Sequence, residues 1–217
     1  MPTDAAKFPE MPAFAPERLA VAGLTLSRGG LVLVRDFNLE LVPGDAVLMS
    51  GPNGTGKTTL MRAIAGFIRP DAGEIRIGDQ TPAVTAADTL GWLGHADGLK
   101  PGETPRQALR FWSDMAGQGR QPILSLMRAM AIESLIDRPA GRLSRGQQRR
   151  TALVRVALSN RPIWLLDEPA GPLDGGGRAR LADLVAWHRA RGGSVIAATH
   201  QTLDWPNARR IDLGTHR

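Results

Sequence analysis

The run Gly51-Pro52-Asn53-Gly54-Thr55-Gly56-Lys57-Thr58-Thr59 puts three glycines, a lysine and three hydroxyls into one short stretch. It fits G-x-x-x-x-G-K-[ST], the pattern of a loop that wraps nucleotide phosphates. Gly51, Gly54 and Gly56 let the backbone turn its N–H groups inward toward an anion, where a side chain would block the approach. Lys57 supplies a cation for the β- and γ-phosphates, and the Thr58 hydroxyl is a ligand for Mg²⁺. This chemistry calls for ATP or a similar nucleotide together with Mg²⁺.

Such a loop works between a strand and a helix. Ala46-Val47-Leu48-Met49 is an apolar run of strand length, and Leu60, Met61, Ile64 and Ala65 recur at helical spacing before Gly66. The phosphates then sit on a helix N-terminus, whose dipole favours negative charge. This context sets the run apart from an ordinary glycine-rich turn.

Upstream, Leu24–Leu26, Leu31–Val34 and Phe37–Leu41 read as short strands, and Glu74–Ile77 as another. Residues 104–136 read as a helical insert. Its start is marked by Thr104 before Pro105, an N-cap followed by proline in the first turn, and it breaks at Gly117–Gln121. Ile163–Leu166 and Val195–Ala198 are continuous apolar runs typical of strands buried in a parallel sheet. Leu181, Leu184 and Val185 mark an amphipathic helix between them, ending near Gly192-Gly193. Strand and helix alternate, so the expected class is α/β with a doubly wound core.

The 217 residues suit one domain from residue 18 onward, with a helical part at about 97–150. Residues 1–17, with Pro2, Pro9, Pro12 and Pro16, are expected to be a disordered leader. There is no cysteine, which excludes disulfides and thiolate metal sites. No apolar run approaches the about eighteen residues of a membrane span, and the N-terminus lacks the features of a secretion signal. The net charge of +6 comes almost wholly from arginine, since lysine occurs only at 7, 57 and 100. No long basic run or interleaved aromatic residues build a nucleic-acid platform, so the arginines are expected on solvated faces and no direct nucleic-acid partner is expected.

Leu143-Ser144-Arg145-Gly146-Gln147, ahead of a helix expected near Gln148, resembles the LSGGQ signature of ATP-binding-cassette (ABC) ATPases, with Arg145 where glycine is usual. Leu165-Leu166-Asp167-Glu168 resembles the Walker B strand of the same family. Gly171-Pro172-Leu173-Asp174 resembles its D-loop, and His200 stands at the place of its switch histidine. The resemblance implies a RecA-like core with a parallel sheet, a small antiparallel β subdomain and a helical subdomain. It also implies a homodimer, in which Leu143 to Gln147 of one subunit close over ATP held by Gly51 to Thr59 of the other, and Asp174 contacts the partner's loop. Asp167 would hold Mg²⁺ through water, and Glu168 would orient and deprotonate the attacking water. His200 would contact the γ-phosphate, and Lys57, Glu168 and His200 form the catalytic set.

Two departures stand out. The family stacks adenine on an aromatic residue upstream of the loop, but Leu24 to Gly30 contains none, and Arg28 is the candidate replacement through its guanidinium plane. Where the family has a glutamine beside Mg²⁺, this chain has His95. Imidazole suits Mg²⁺ poorly, so His95 is expected to bond water or the partner.

Trp92-Leu93-Gly94-His95, Gly98-Leu99-Lys100, Leu143 to Arg150 and Thr199-His200-Gln201 resemble the haem-exporter ATPase subunits of cytochrome c maturation. That implies a peripheral subunit on the cytoplasmic face of the inner membrane, partnered by integral membrane subunits. Nothing in the chain points to haem bound directly. Another small exporter motor is the alternative. A soluble ABC protein is a weaker one, lacking the fused second cassette or long coiled coil usual in that class.

Base stacking on an aromatic ring is worth about 1–3 kcal/mol in nucleic-acid sites. Without it, ATP and GTP should bind with affinities within roughly tenfold of each other. Competitive titration with a fluorescent nucleotide measures this, and a strong preference for ATP would mean that another group reads the base.

Overall fold

The computed structural model describes residues 8–215. A three-stranded antiparallel sheet is built from β1 (Leu19–Arg28), β2 (Leu31–Leu41) and β4 (Ala72–Ile77) in the order β2-β1-β4. A five-stranded parallel sheet comprises β3 (Ala46–Ser50), β5 (Leu90–Leu93), β6 (Ile163–Asp167), β7 (Ser194–Ala198) and β8 (Arg209–Asp212), in the order β5-β6-β7-β3-β8. The helices are α1 (Lys57–Ile64), α2 (Pro82–Thr89), α3 (Pro105–Met115), α4 (Gln121–Ala129), α5 (Arg145–Leu158) and α6 (Gly175–Ala190).

The central strands bury both faces, and their alternate residues enter two separate cores. Ala46, Leu48, Trp164, Leu166, Val195 and Ala197 pack with α5, α6 and the helical insert. Val47, Met49, Ile163, Leu165, Ile196 and Ala198 pack with α1 and the antiparallel sheet. This two-sided burial explains why these strands read as unbroken apolar runs.

The structure refines several sequence expectations. The two strands expected at 31–34 and 37–41 are one strand, β2, irregular where Asp36 adopts φ 47° and the Asn38 side chain donates to the Asp36 carbonyl. Strands β5 and β8 and helix α2 lack a clear apolar period and were not expected. The helix expected near Gln148 starts at Arg145, because Ser144 caps it: the Ser144 Oγ accepts from the Gln147 N–H at 3.2 Å and the Gln147 side chain accepts from the Ser144 N–H at 2.8 Å.

Residues 1–7 of the expected leader lie outside the described residues. Residues 8–17 are not a free leader but an extended strap. Phe8 stacks on Trp187 with ring centroids 5.4 Å apart, and the Trp187 indole donates to the Pro9 carbonyl. The Phe14 N–H donates to the Arg191 carbonyl, and the Arg191 guanidinium donates to the Pro12 carbonyl while covering the Phe14 ring. The spaced prolines keep this segment extended, and Phe8 and Phe14 supply the apolar area that holds it down.

Beneath the strap, His188 is fully buried and stacked on Trp164 at 3.7 Å. Its Nε2 lies 3.1 Å from the Pro162 carbonyl and 3.3 Å from the Ser194 carbonyl, so this nitrogen carries the proton of the neutral ring. Burial lowers its pKa to about 3. The unfolded chain binds this proton below its ordinary pKa of 6.5, whereas the folded chain resists it until about 3. Stability therefore falls as pH drops through that window. Between pH 7 and pH 5 this site alone should cost about 2 kcal/mol. His188→Leu should be less stable at neutral pH but lack that part of the slope, as urea titrations at both pH values would show.

Candidate nucleotide site

Strand β3 ends at Ser50, and the chain turns through Gly51, Gly54 and Gly56 at φ 136°, 81° and 94° before entering α1. These conformations suit glycine, and a Cβ on Gly56 would lie 3.0 Å from Val34 and 3.1 Å from Leu33. Thr55 is fully buried and braces the loop by donating its hydroxyl to the Pro52 carbonyl at 3.0 Å. The Lys57 ammonium donates to the Gly51 carbonyl at 2.6 Å and the Pro52 carbonyl at 3.0 Å, curling the lysine over the loop it belongs to.

The Thr58 hydroxyl donates to Asp167 Oδ2 at 3.0 Å, joining the start of α1 to the end of β6. Burial raises the Asp167 carboxyl above its ordinary pKa, opposed by the Thr58 bond. A buried carboxylate in that state gains from a shared cation. Hydroxyl and carboxylate oxygens are the hard donors Mg²⁺ takes, and two protein ligands suit an ion that shares phosphate oxygens and waters. Among the described residues no cluster of three or more His, Cys, Asp and Glu side chains offers an all-protein metal cage.

One residue on, Glu168 adopts φ 46°, an uncommon left-handed conformation for a side-chain-bearing residue. Its N–H donates to the Ala198 carbonyl at 2.8 Å. Its carboxylate is held at both oxygens: Oε1 lies 3.0 Å from His200 Nδ1, and Oε2 accepts from the Thr199 hydroxyl at 3.3 Å. Lys57, Thr58, Asp167, Glu168, His95 and His200 all face one cleft of about 550 Å³, which Arg28 and Leu33 border on the side of the antiparallel sheet. A second cleft, of about 820 Å³, shares His95, Glu168 and His200 and is walled by Arg145, Gln148 and Pro172.

A family model described as ABC transporter matches residues 34–171. A cytochrome c biogenesis ATP-binding export protein CcmA of Maricaulis maris is 75% identical over 97% of this chain and 99% of that protein. The chain belongs to the ABC transporter family, among the cytochrome c biogenesis ATP-binding export proteins. The protein of the same description from Paracoccus denitrificans is 42% identical over 92% of this chain and 90% of its own length. A putative ABC transporter ATP-binding protein from Pyrococcus furiosus superposes with a TM-score of 0.82 at 21% identity, covering 92% of this chain and 98% of that one. A dimeric bacterial ABC transporter cassette superposes with a TM-score of 0.72 at 23% identity, covering 84% and 88%. The cassette thus has the expected fold, with a parallel core sheet, an antiparallel sheet and a helical part.

Within one cassette the expected residues divide into two sets. Asn53, Gly54, Gly56, Lys57, Thr58 and Thr59 line the nucleotide cleft with Asp167, Glu168, His95 and His200, while Gly51, Pro52 and Thr55 back the loop. Leu143, Ser144, Gly146, Gln147 and Asp174 do not line it. Leu143 is buried, Ser144 and Gln147 form the capping box of α5, and Gly146 packs under Pro172, whose carbonyl would lie 3.0 Å from a Cβ there. Asp174 caps α6 by accepting from the Gly177 N–H at 2.7 Å.

Arg149 departs from the solvated faces expected of the arginines, being 4% exposed. It donates Nη1 to the Gly94 carbonyl at 3.0 Å and Nη2 to the His95 carbonyl at 3.3 Å. The bond from Thr199 to Glu168 is likewise not expected from the sequence. The position of Thr199 directly before His200 was the available signal.

Gly56→Ala should place Cβ against Leu33 and Val34 and strain the loop by about 1–2 kcal/mol. ATP affinity should fall about five- to thirtyfold while the fold persists. Nucleotide titration with circular dichroism as the control checks both.

Proposed function

We propose that this cassette hydrolyses Mg-ATP in an exporter serving cytochrome c biogenesis, with two copies acting together beneath integral membrane subunits. The observation that carries the hydrolytic reading is Glu168, held at both carboxylate oxygens beside the phosphate loop. A carboxylate so oriented accepts a proton from a water lined up on the γ-phosphate. His200 and Thr199 keep it from swinging away. The Lys57 ammonium already bonds two carbonyls and transfers to phosphate oxygens when nucleotide enters. Thr58 and Asp167 would hold Mg²⁺, which when bound neutralises charge on the phosphate oxygens.

The pathway reading rests on the relatives named for cytochrome c biogenesis, which cover nearly the whole chain. The cargo step we assign is release of haem to its chaperone beyond the membrane. ATP closure would favour one arrangement of the membrane subunits over another. No helix among the described residues is long and apolar enough to cross a membrane. The peripheral place on the cytoplasmic face that we assign rests on the relatives named as ATP-binding export proteins. Exposed aromatic surface supports a docking role. Phe67, 66% exposed, lies edge-on to Trp92; Phe111, 57% exposed, lies edge-on to Trp112.

The dimer reading is supported by the start of α5. Ser144 and Arg145 are exposed and away from their own phosphate loop, which leaves them open to a second copy's nucleotide. The dimeric cassette of the same fold is compatible with this arrangement.

A Lys57→Ala strain should lose nearly all holo-cytochrome c while haem synthesis and b-type cytochromes continue. Covalent haem staining of periplasmic proteins reads this directly. Normal staining would remove the pathway assignment and leave the motor of another small exporter.

A further inference from the structure

The nucleotide cleft has two ends. One is the phosphate loop with the acid pair and the two histidines. The other is the β1–β2 hairpin, which contributes Arg28 and Leu33. The two ends are in direct contact, since a Cβ on Gly56 would lie 3.1 Å from the Leu33 Cβ. A triphosphate seated on Gly54 to Thr59 therefore leaves its base to the hairpin.

Arg28 closes β1 and pairs with Leu31 across a turn in which Gly29 and Gly30 adopt φ 60° and 80°. The turn fixes where the arginine stands and leaves its side chain exposed. No hydrogen bond, ion pair or ring contact among the described residues engages its guanidinium. Arg149, Arg155 and Arg191 spend their donors on backbone carbonyls, whereas Arg28 keeps its N–H groups free at the cleft. No Phe or Trp lines the cleft, and the chain has no tyrosine.

A guanidinium meets a base with its plane or with its edge. The plane gains from any base. The edge is selective, because it carries donors and no acceptor. Guanine sets O6 and N7 side by side as two acceptors, whereas adenine sets the N6 amino donor beside N7. Leu33 is half-buried and apolar, so it suits the face of a base and reads nothing of its edge. The edge is left to Arg28.

We propose that Arg28 is the specificity-determining residue for the base and makes this cassette prefer a 6-oxo purine nucleotide, GTP or ITP, over ATP. This rests on the nucleotide-hydrolysing reading above. ATP remains a substrate, held by its triphosphate and by the apolar contact. The loop and the acid pair act on the triphosphate alone, so kcat should agree within about threefold between ATP and GTP, and the preference should appear in KM.

The test is displacement of a ribose-labelled fluorescent nucleotide from the full chain by ATP, GTP and ITP with Mg²⁺. GTP and ITP should each bind about three- to tenfold more tightly than ATP, a modest gap because the contact is exposed to water. Arg28→Leu removes the donors, and Arg28→Lys keeps the charge without the fork; both should shrink the gap to within about twofold. The side chain is exposed and unbonded, so circular dichroism should show both variants folded. Tighter binding of ATP than of GTP, or a gap that survives in either variant, overturns the assignment of Arg28 and leaves the hydrolytic reading intact. A gap for GTP that ITP does not share does the same, because it puts the selective contact on the 2-amino group. If none of the three nucleotides displaces the probe, the nucleotide-site reading falls and the preference with it.

Discussion

The pairing of three parallel strands fixes the phosphate loop, the acid pair and His200 at the nucleotide cleft. Asp167 of β6 sits opposite Ala198 of β7, and Met49 of β3 sits opposite the same Ala198. The ladder continues past the strand ends, with the Glu168 N–H on the Ala198 carbonyl and the Thr199 N–H on the Met49 carbonyl. Phosphate loop, acid pair and histidine thus leave the sheet at one level. A slip of one residue in β6 would send Asp167 to the opposite face and bring Leu166 to the position facing Thr58. The two-sided apolar burial of β3, β6 and β7 makes that slip costly, so the hydrophobic core enforces the catalytic geometry.

The polar groups at those strand ends are satisfied by one another. Lys57 bonds the carbonyls of its own loop, Thr58 bonds Asp167, and Glu168 bonds Thr199 and His200. The site is therefore ordered before nucleotide arrives, which lowers the reorganisation needed on binding. The left-handed backbone at Glu168 is the local strain that this order supports.

Arginine is used in two ways. Arg106 and Arg128 form exposed forks with Asp137 and Glu133, which contribute little in water. Arg149, Arg155 and Arg191 are buried or partly buried and spend their donors on backbone carbonyls far away in sequence. They tie α5 to the segment before the helical insert, and the end of α6 to the strap. Composition treats both kinds alike, and the net charge of +6 says nothing of the difference.

What the sequence determined by itself is local. Glycine spacing, Lys57 and the apolar runs of β3, β6 and β7 specify the loop, the buried strands and the acid pair, because backbone freedom and strand burial act over a few residues. The caps at Thr104 and Ser144 follow from neighbouring side chains, although α5 starts at Arg145, three residues before the expected start near Gln148. What only the tertiary structure decided is non-local. Strands β5 and β8 exist because neighbours pair with them, and residues 8–17 are held because Trp187 and Arg191 lie beneath them. Arg149 is buried because the segment at 94–97 folds over it, and Thr199 bonds Glu168 across 31 positions. No period or propensity encodes such contacts, since each depends on where another part of the chain has already been placed.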